Sequence, residues 1–397
     1  MASPTTRSAD RQAAVAQAVL GVALSGLGAF LVLAARDLDL PAERLAGMSA
    51  SVGLGLIAVG LAGPILLRRG PHSTLRGGAI VLAAGCVLFA VAPTVPVAIA
   101  GVLLLGAGTA ALNMVTPALL AGDHLAQRLS RVIAVGSIVA VLAPMAIGAL
   151  DSTGVTGRLL LVPLVIPLLM LAASRPAHTT EPSPARTAEP PPESPQRPRL
   201  GAVARRWTAV VLAVSIEFCF TIWAVARLTE AGVSASVAAL LGAAFPAGMA
   251  IGRILAPPLL ARLPAVPIGG ALTAAAAVAV AVIEEPVGVT VALAVAGVGV
   301  ATLYPVTLAA LVATPGLSAR HAVSIGTVAS GTAILLAPTA LAAIGGHTGL
   351  RLAFLITVPL IVAVIAVHGL RRTAGPQPAG PTPAADRGLE ARPVKYR

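Results

Sequence analysis

The chain has 397 residues, of which 57% are hydrophobic and only 11% are charged. A soluble domain carries roughly 25% charged residues, so this composition excludes a water-soluble globular protein and predicts a chain dissolved in a bilayer. The net charge is +12, which taken alone would suggest a nucleic-acid partner. Cys86 and Cys219 both lie within apolar runs, where they predict neither a disulfide nor a metal site.

The apolar runs form twelve segments that approach the length of about 20 residues that a membrane helix needs. Residues 1–12 precede the first run, which is longer than the apolar core of a cleaved signal peptide and is therefore interpreted as a span. The connections at 92–96 and 284–288 are so short that their flanking helices must form antiparallel hairpins. The predicted spans 1 to 12 are 13–35, 43–67, 76–92, 95–121, 130–150, 157–174, 207–228, 234–261, 266–283, 287–313, 322–345 and 350–370.

A proline-rich segment at 175–206 divides the spans into two groups of six. It holds eight prolines and almost no large apolar residues, a composition typical of a disordered linker. Residues 371–397 have a similar composition and predict a disordered tail. The expected domains are thus two six-helix bundles, at 13–174 and 207–370, joined by a linker.

Basic residues are distributed unevenly between the two ends of the predicted spans. Twenty-two of the 27 lysines and arginines fall in the N-terminus, the linker, the tail and the loops on the same side. Positive charge marks the cytoplasmic side of membrane proteins, so both termini are expected in the cytoplasm, in a multi-pass protein of the plasma (inner) membrane. This distribution explains the basic character of the chain and excludes a nucleic-acid partner.

The two halves of the chain resemble each other in sequence. Residues 106–120 share eight identical positions with residues 297–311, and 63–71 aligns with 256–264 at a nearly constant offset. Small residues at this spacing let membrane helices approach closely. Because each copy has six spans, the copies keep the same orientation and predict parallel repeats about an axis normal to the membrane.

Twelve spans, a six-plus-six repeat, a cytoplasmic linker and a basic loop after span 2 resemble the major facilitator superfamily. Its signature loop has a glycine, a leucine, an Asp-Arg pair and a second glycine; here Gly63, Arg68 and Gly70 match, but Leu67 occupies the acidic position. The resemblance implies an all-helical fold of twelve spans in two bundles and a cytoplasmic gate. The residues that it assigns to this gate are Gly63, Arg68, Arg69, Gly70, Arg253 and Arg262.

The branch of the family stays open. Drug exporters often carry an arginine in span 4, where this chain has Val102. The segments 297–305 and 348–356 are more similar to the general sugar and metabolite permeases.

Glu217 is the only carboxylate predicted at mid-membrane, in the apolar run 213–226. A charge there costs roughly 2.5–3.5 kcal/mol, so a group that gains and loses a proton is suited to proton coupling. Thr221, one turn away, is a potential hydrogen-bond partner. The alternative is a permanently protonated side chain that is bonded to a neighbouring helix. Gly26 occupies the corresponding position of span 1, so the repeat does not account for the carboxylate.

Further polar residues are candidates for a substrate cavity. Asn113 and Tyr304 occupy equivalent positions in spans 4 and 10, which line the cavity in the resembled family; the alternative is a hydrogen bond between helices. Trp223 is a candidate for the cavity or for an interfacial aromatic belt. Arg253 either joins the gate or extends its charge to the membrane surface.

The expected function is secondary active transport of a small organic solute by alternating access, as proton-coupled efflux of a drug or metabolite. Uptake of a sugar-like metabolite and a non-transporting receptor or scaffold are the alternatives. No nucleotide-binding, metal-binding or catalytic motif occurs, so neither an enzyme nor a cofactor is expected. The expected partners are the solute, protons and membrane lipids, and a monomer is expected.

Overall fold

A computed structural model describes residues 4–40, 43–120, 125–174, 198–260 and 264–369. The elements of these ranges are all helices, which confirms the predicted all-helical membrane fold. Most of the predicted linker and the whole predicted tail lie outside the described residues. Residues 200–206, which were assigned to the linker, instead form the first turns of span 7.

In the described chain, ten helices are long and apolar enough to cross a membrane. A bent pair of helices forms one further span and a shorter apolar segment another, which completes the twelve predicted spans. The spans are, in order, Pro4–Ser25 with Leu27–Asp37; Glu43–Arg68; Pro71–Ala90; Val95–Leu119; Leu125–Asp151; Gly157–Leu161 with Val165–Ala173; Leu200–Glu230; Ala235–Gly242 with Ala244–Leu260; Ala265–Val282; Pro286–Val300 with Leu303–Val312; Ala319–Thr348; and Leu350–Ala353, Phe354–Ile356 and Thr357–Gly369.

Several spans are interrupted, which the hydropathy pattern did not predict. Span 1 bends by 50° between its two helices, at Gly26. The preceding Ser25 donates its hydroxyl hydrogen to the Gly21 carbonyl at 2.6 Å. Serine–glycine pairs and serine hydroxyls bonded back to their own helix are recognised causes of helix bending.

The helix packing repeats between the two halves of the chain. Spans 1 and 5 pack together as spans 7 and 11 do, and spans 2 and 4 pack as spans 8 and 10 do. The same holds for spans 3 and 4 against spans 9 and 10. The predicted repeat of two six-helix bundles is therefore confirmed.

The bundle has two faces. We call the face where span 1 begins and span 12 ends the terminal face, and the other the opposite face. Large apolar side chains are exposed on the flanks between them: Leu61 is 69% and Ile254 74% exposed. Exposed apolar surface of this extent is explained by contact with lipid.

Arg227 is a buried cation within the second bundle, only 2% exposed. Its guanidinium donates hydrogen bonds to the carbonyl oxygens of Val280, at 3.2 Å, and Ile283, at 2.5 Å. These carbonyls lie at the end of span 9, where a helix has no internal donors for them. Arg227 thus caps span 9 from span 7 and joins two helices of one bundle.

We predict that Arg227→Met destabilises the protein by about 2–4 kcal/mol, because two buried carbonyls lose a charged donor. The measurement is the melting temperature of the purified protein in detergent. Arg351→Gln is the matched control, since Arg351 is 38% exposed and pairs with Glu284 at the surface, where ion pairs contribute about 0–1 kcal/mol. Equal melting temperatures of the two variants would contradict the capping role.

Candidate functional site

The two bundles touch closely near the opposite face. Gly28 of span 1 lies against the backbone carbonyls of Thr221 and Ile222 in span 7. Gly148 of span 5 lies against the start of span 8, where a Cβ would approach the Ser236 carbonyl to 2.5 Å. Neither position has room for a side chain, so glycine permits the bundles to close on this face.

Spans 2 and 11 also pack across the interface, and this contact reaches the terminal half. Gly63, the first glycine of the signature loop, lies against the side chains of Ser324 and Met114. Arg68 and Arg69 are exposed at the end of span 2, and Gly70 has a φ of 99° before span 3 begins. Arg262, the remaining gate candidate of the second copy, lies outside the described residues.

A cavity of about 760 Å³ lies between the bundles and is lined by spans 1, 2, 4 and 5 of one and spans 7, 8, 10 and 11 of the other. Its walls include Gln17, Ile133 and Ala313, which lie towards the terminal face. The close contacts at Gly28 and Gly148 close it on the other side. The cavity therefore extends from the middle of the bundle towards the terminal face, and most of its lining is apolar.

The charged groups of the lining both come from the second bundle. Glu217 and Arg253 are half-buried in the wall, and Arg253 acts electrostatically on Glu217. Tyr304 lies beside Ser330 in the same wall and interacts electrostatically with both Glu217 and Arg253. Three residues predicted separately from the sequence, Glu217, Arg253 and Tyr304, are thus brought into one cluster.

Thr221 and Asn113 also line the cavity. The Thr221 hydroxyl donates to the backbone carbonyl of Glu217 at 2.9 Å, and not to its carboxylate. Asn113 is exposed to the cavity from span 4. Gln17 of span 1 lines the cavity as well, and its side-chain amide donates to the Thr116 hydroxyl at 3.4 Å.

Trp223 lies outside the cavity lining and is only 2% exposed. Its indole N–H donates to the carbonyl of Pro338 in span 11 at 3.1 Å. The structure therefore places it in the packed interior of the second bundle, away from both predicted locations. Ser137 and Ser330 were missed from the sequence because single serines in apolar helices carry no distinctive spacing.

A carboxylate at the end of span 5 joins the bundles on the opposite face. Asp151, only 7% exposed, accepts both terminal nitrogens of Arg36, at 2.7 and 2.8 Å, and the Gly157 backbone N–H at 3.2 Å. These three residues belong to the first bundle. Its remaining partner comes from the second bundle: the Ser236 hydroxyl donates to Asp151 at 2.6 Å.

Asp37 extends this charged network within the first bundle. It accepts hydrogen bonds from Arg36, from the Thr156 hydroxyl at 2.6 Å and from Arg158 at 2.9 Å. Arg158 in turn donates to the Phe89 carbonyl at 3.4 Å. The network fixes the ends of spans 1, 5 and 6 relative to each other, so Asp151 is oriented by partners within its own bundle.

In the described ranges, no group of three or more His, Cys, Asp or Glu side chains could hold a metal ion. The site is consequently a cavity with a polar wall on the second bundle and a closed, hydrogen-bonded face above it.

Solved structures share this architecture at low sequence identity. A bacterial homologue of the human lysosomal transporter Spinster is 16% identical, with a TM-score of 0.68 over 93% of this chain and 97% of that one. A point mutant of a peptide transporter, POT, is 13% identical, with a TM-score of 0.70 over 93% and 98%. The xylose transporter XylE from E. coli is 15% identical, with a TM-score of 0.70 over 96% and 100%.

No curated protein sequence matches the chain. The profile of the Major Facilitator Superfamily, however, matches residues 13–309. This match covers most of the chain, includes the first bundle and most of the second, and agrees with the two-bundle architecture and the central cavity. The chain belongs to the Major Facilitator Superfamily and has the fold of its transporters.

Proposed function

We propose that this protein exports a small, largely apolar organic solute in exchange for protons, by alternating access. The terminal face is assigned to the cytoplasm because it carries most of the basic residues, and the membrane is the plasma (inner) membrane. The solute enters the cavity from the cytoplasm and leaves at the opposite face after the bundles rock about the central site.

The main support for this proposal is that the carboxyl group of Glu217 has no bonding partner among the described residues. Within the described chain, its carboxyl group makes no hydrogen bond and no ion pair within 4 Å, although it faces the cavity. A purely structural acid in an apolar wall would be bonded to a neighbour, since unpaired buried polar groups are costly. A free carboxyl group in a cavity can bind either a proton or a cationic group of a solute.

Competition for one carboxyl group gives exchange transport a physical basis. A solute cation and a proton cannot occupy Glu217 together, so the arrival of one displaces the other. The volume of about 760 Å³ lies within the roughly 300–1,000 Å³ range of small-molecule sites. The apolar lining favours an amphipathic solute over the alternative, a sugar-like metabolite, whose hydroxyls need many more polar partners.

The opposite-face contacts supply the second requirement of alternating access, a closed face. The first bundle carries the whole charged network, and the second bundle contributes one neutral hydroxyl, from Ser236. A hydrogen bond to a charged acceptor contributes about 1.5–3 kcal/mol, which is strong enough to hold the face closed and weak enough to break.

We predict that Glu217→Gln abolishes the dependence of transport on a pH gradient while the protein still inserts in the membrane. Glutamine has a similar shape but binds no proton, so it removes only the exchange chemistry. The measurement is tetraphenylphosphonium flux in proteoliposomes, with and without an imposed gradient.

Glu230→Gln is the matched control for this variant, because Glu230 lies on the same helix but outside the cavity lining. It should retain gradient-driven flux. Gradient-driven flux in Glu217→Gln would contradict the coupling role. Flux that is absent in the wild type as well would favour the alternative of a receptor or scaffold.

We predict that Ser236→Ala increases the population open at the opposite face by about tenfold or more, since about 1.5–3 kcal/mol of contact energy is lost. Spin labels on cysteines introduced at Ser152 and Val287 report this opening as a longer distance, because both positions are exposed near that face. The native Cys86 and Cys219 are buried and do not interfere.

Thr348→Ala is the control for the loss of a hydroxyl near the same face. Thr348 is exposed, and its hydroxyl bonds to the Ile344 carbonyl of its own helix, so its loss should leave the label distance unchanged. An unchanged distance in Ser236→Ala would show that the hydroxyl does not hold the face closed.

A further inference from the structure

The cavity holds two opposite charges that are not paired with each other. Glu217 and Arg253 both line the cavity, yet among the ion pairs of the described residues, which reach 4 Å, none joins these two side chains. Arg253 acts on Glu217 only through space. Among the described residues of the lining, Tyr304 is the other titratable one, so Glu217 and Arg253 define the charge pattern of this lining.

Arg253 is also incompletely satisfied by its surroundings. A guanidinium has five N–H donors, and the hydrogen bond that the structure gives Arg253 is a long one, 3.3 Å to the Ser137 hydroxyl across the interface. A neutral hydroxyl at this distance does not neutralise the charge. Several donors therefore remain free to bind an acceptor in the cavity.

While Glu217 is ionised, a solute with a single charge leaves one of these two groups uncompensated. An organic cation would neutralise Glu217 but add a second positive charge near Arg253, and an organic anion would do the reverse. Uncompensated charges in a weakly polar environment are costly. A net-neutral solute that carries both charges satisfies both groups, while its apolar part occupies the rest of the lining.

We propose that the cavity recognises a zwitterionic amphipathic solute, whose cationic group binds Glu217 and whose anionic group binds Arg253. This inference rests on the proposed transport function and names the class of its solute. Arg253 is then a specificity-determining residue, which selects an acidic group that Glu217 alone would repel. Guanidinium binds carboxylate in a planar, two-pronged geometry that lysine does not reproduce.

Exchange with protons follows the same arrangement. The ammonium group of the solute and the proton compete for Glu217, whereas the bond between Arg253 and the carboxylate is independent of that competition. A lower pH should therefore weaken the binding of zwitterions and cations, because protons displace their ammonium groups from Glu217. It should not weaken the binding of an anion, as long as the carboxylic acid of that anion stays ionised.

The test compares four probes that share a phenyl group: phenylalanine, phenethylamine, 3-phenylpropanoate and 3-phenylpropanamide. Binding to the purified protein in nanodiscs is measured by calorimetry. Phenylalanine should bind about tenfold tighter than either singly charged probe, which corresponds to about 1.4 kcal/mol for the second contact. The neutral amide should bind most weakly.

Three variants assign the contacts. Arg253→Gln should remove the difference in affinity between phenylalanine and phenethylamine. Glu217→Gln should remove the difference in affinity between phenylalanine and 3-phenylpropanoate. Arg253→Lys should restore part of the advantage, because it keeps the charge without the planar fork. Each variant must melt at the wild-type temperature without a probe, so that a loss of folding is recognised.

Three results would overturn the inference: equal binding of phenylalanine and the amide, absence of binding by all four probes, or an unchanged ranking in Arg253→Gln. If tetraphenylphosphonium flux still depends on the pH gradient in any of these cases, the proposed exchange function stands and only the zwitterionic site fails. If neither tetraphenylphosphonium flux nor phenylalanine flux depends on the pH gradient in the wild type, the exchange function itself fails.

Discussion

The scarcity of water inside the bilayer is the constraint on which this structure depends. Arg227 is tolerated in the interior because helix-end carbonyls accept its hydrogen bonds, and Asp151 because an arginine, a backbone N–H and a serine surround it. Within the described residues, Glu217 and Arg253 have no comparable partners, and both face the cavity. Charges that are satisfied in this fold maintain the architecture, and the proposed function assigns solute and proton binding to those that are not satisfied.

The architecture could be predicted from the sequence because it follows from local patterns that occur in both halves of the chain. Runs of apolar residues set the twelve spans, and the identities between 106–120 and 297–311 gave the two-bundle repeat. Glu217 was identified because a lone carboxylate in an apolar run is conspicuous. It lines the cavity with Thr221, and so do Asn113 and Tyr304 of spans 4 and 10, which the family resemblance assigns to the lining.

The remaining features depend on contacts between distant segments, which composition does not encode. Trp223 was expected at a cavity or a membrane surface, yet its indole N–H donates to the Pro338 carbonyl in the bundle interior. Asp151 and Ser236, 85 residues apart, meet only once the two bundles have docked. The bend at Gly26 depends on a side-chain bond from Ser25, and a hydropathy pattern averages over such bonds.

The most direct test of proton-coupled alternation measures both faces of one protein while the protonation of Glu217 changes. Spin-label pairs at Arg69 and Arg320 report the terminal face, and pairs at Ser152 and Val287 report the opposite face; all four positions are exposed. On a change from alkaline to acidic pH, one distance should lengthen as the other shortens. In Glu217→Gln, neither distance should change with pH. Distances that ignore pH in the wild type, or that still respond to it in Glu217→Gln, would contradict proton-coupled alternation of the two bundles.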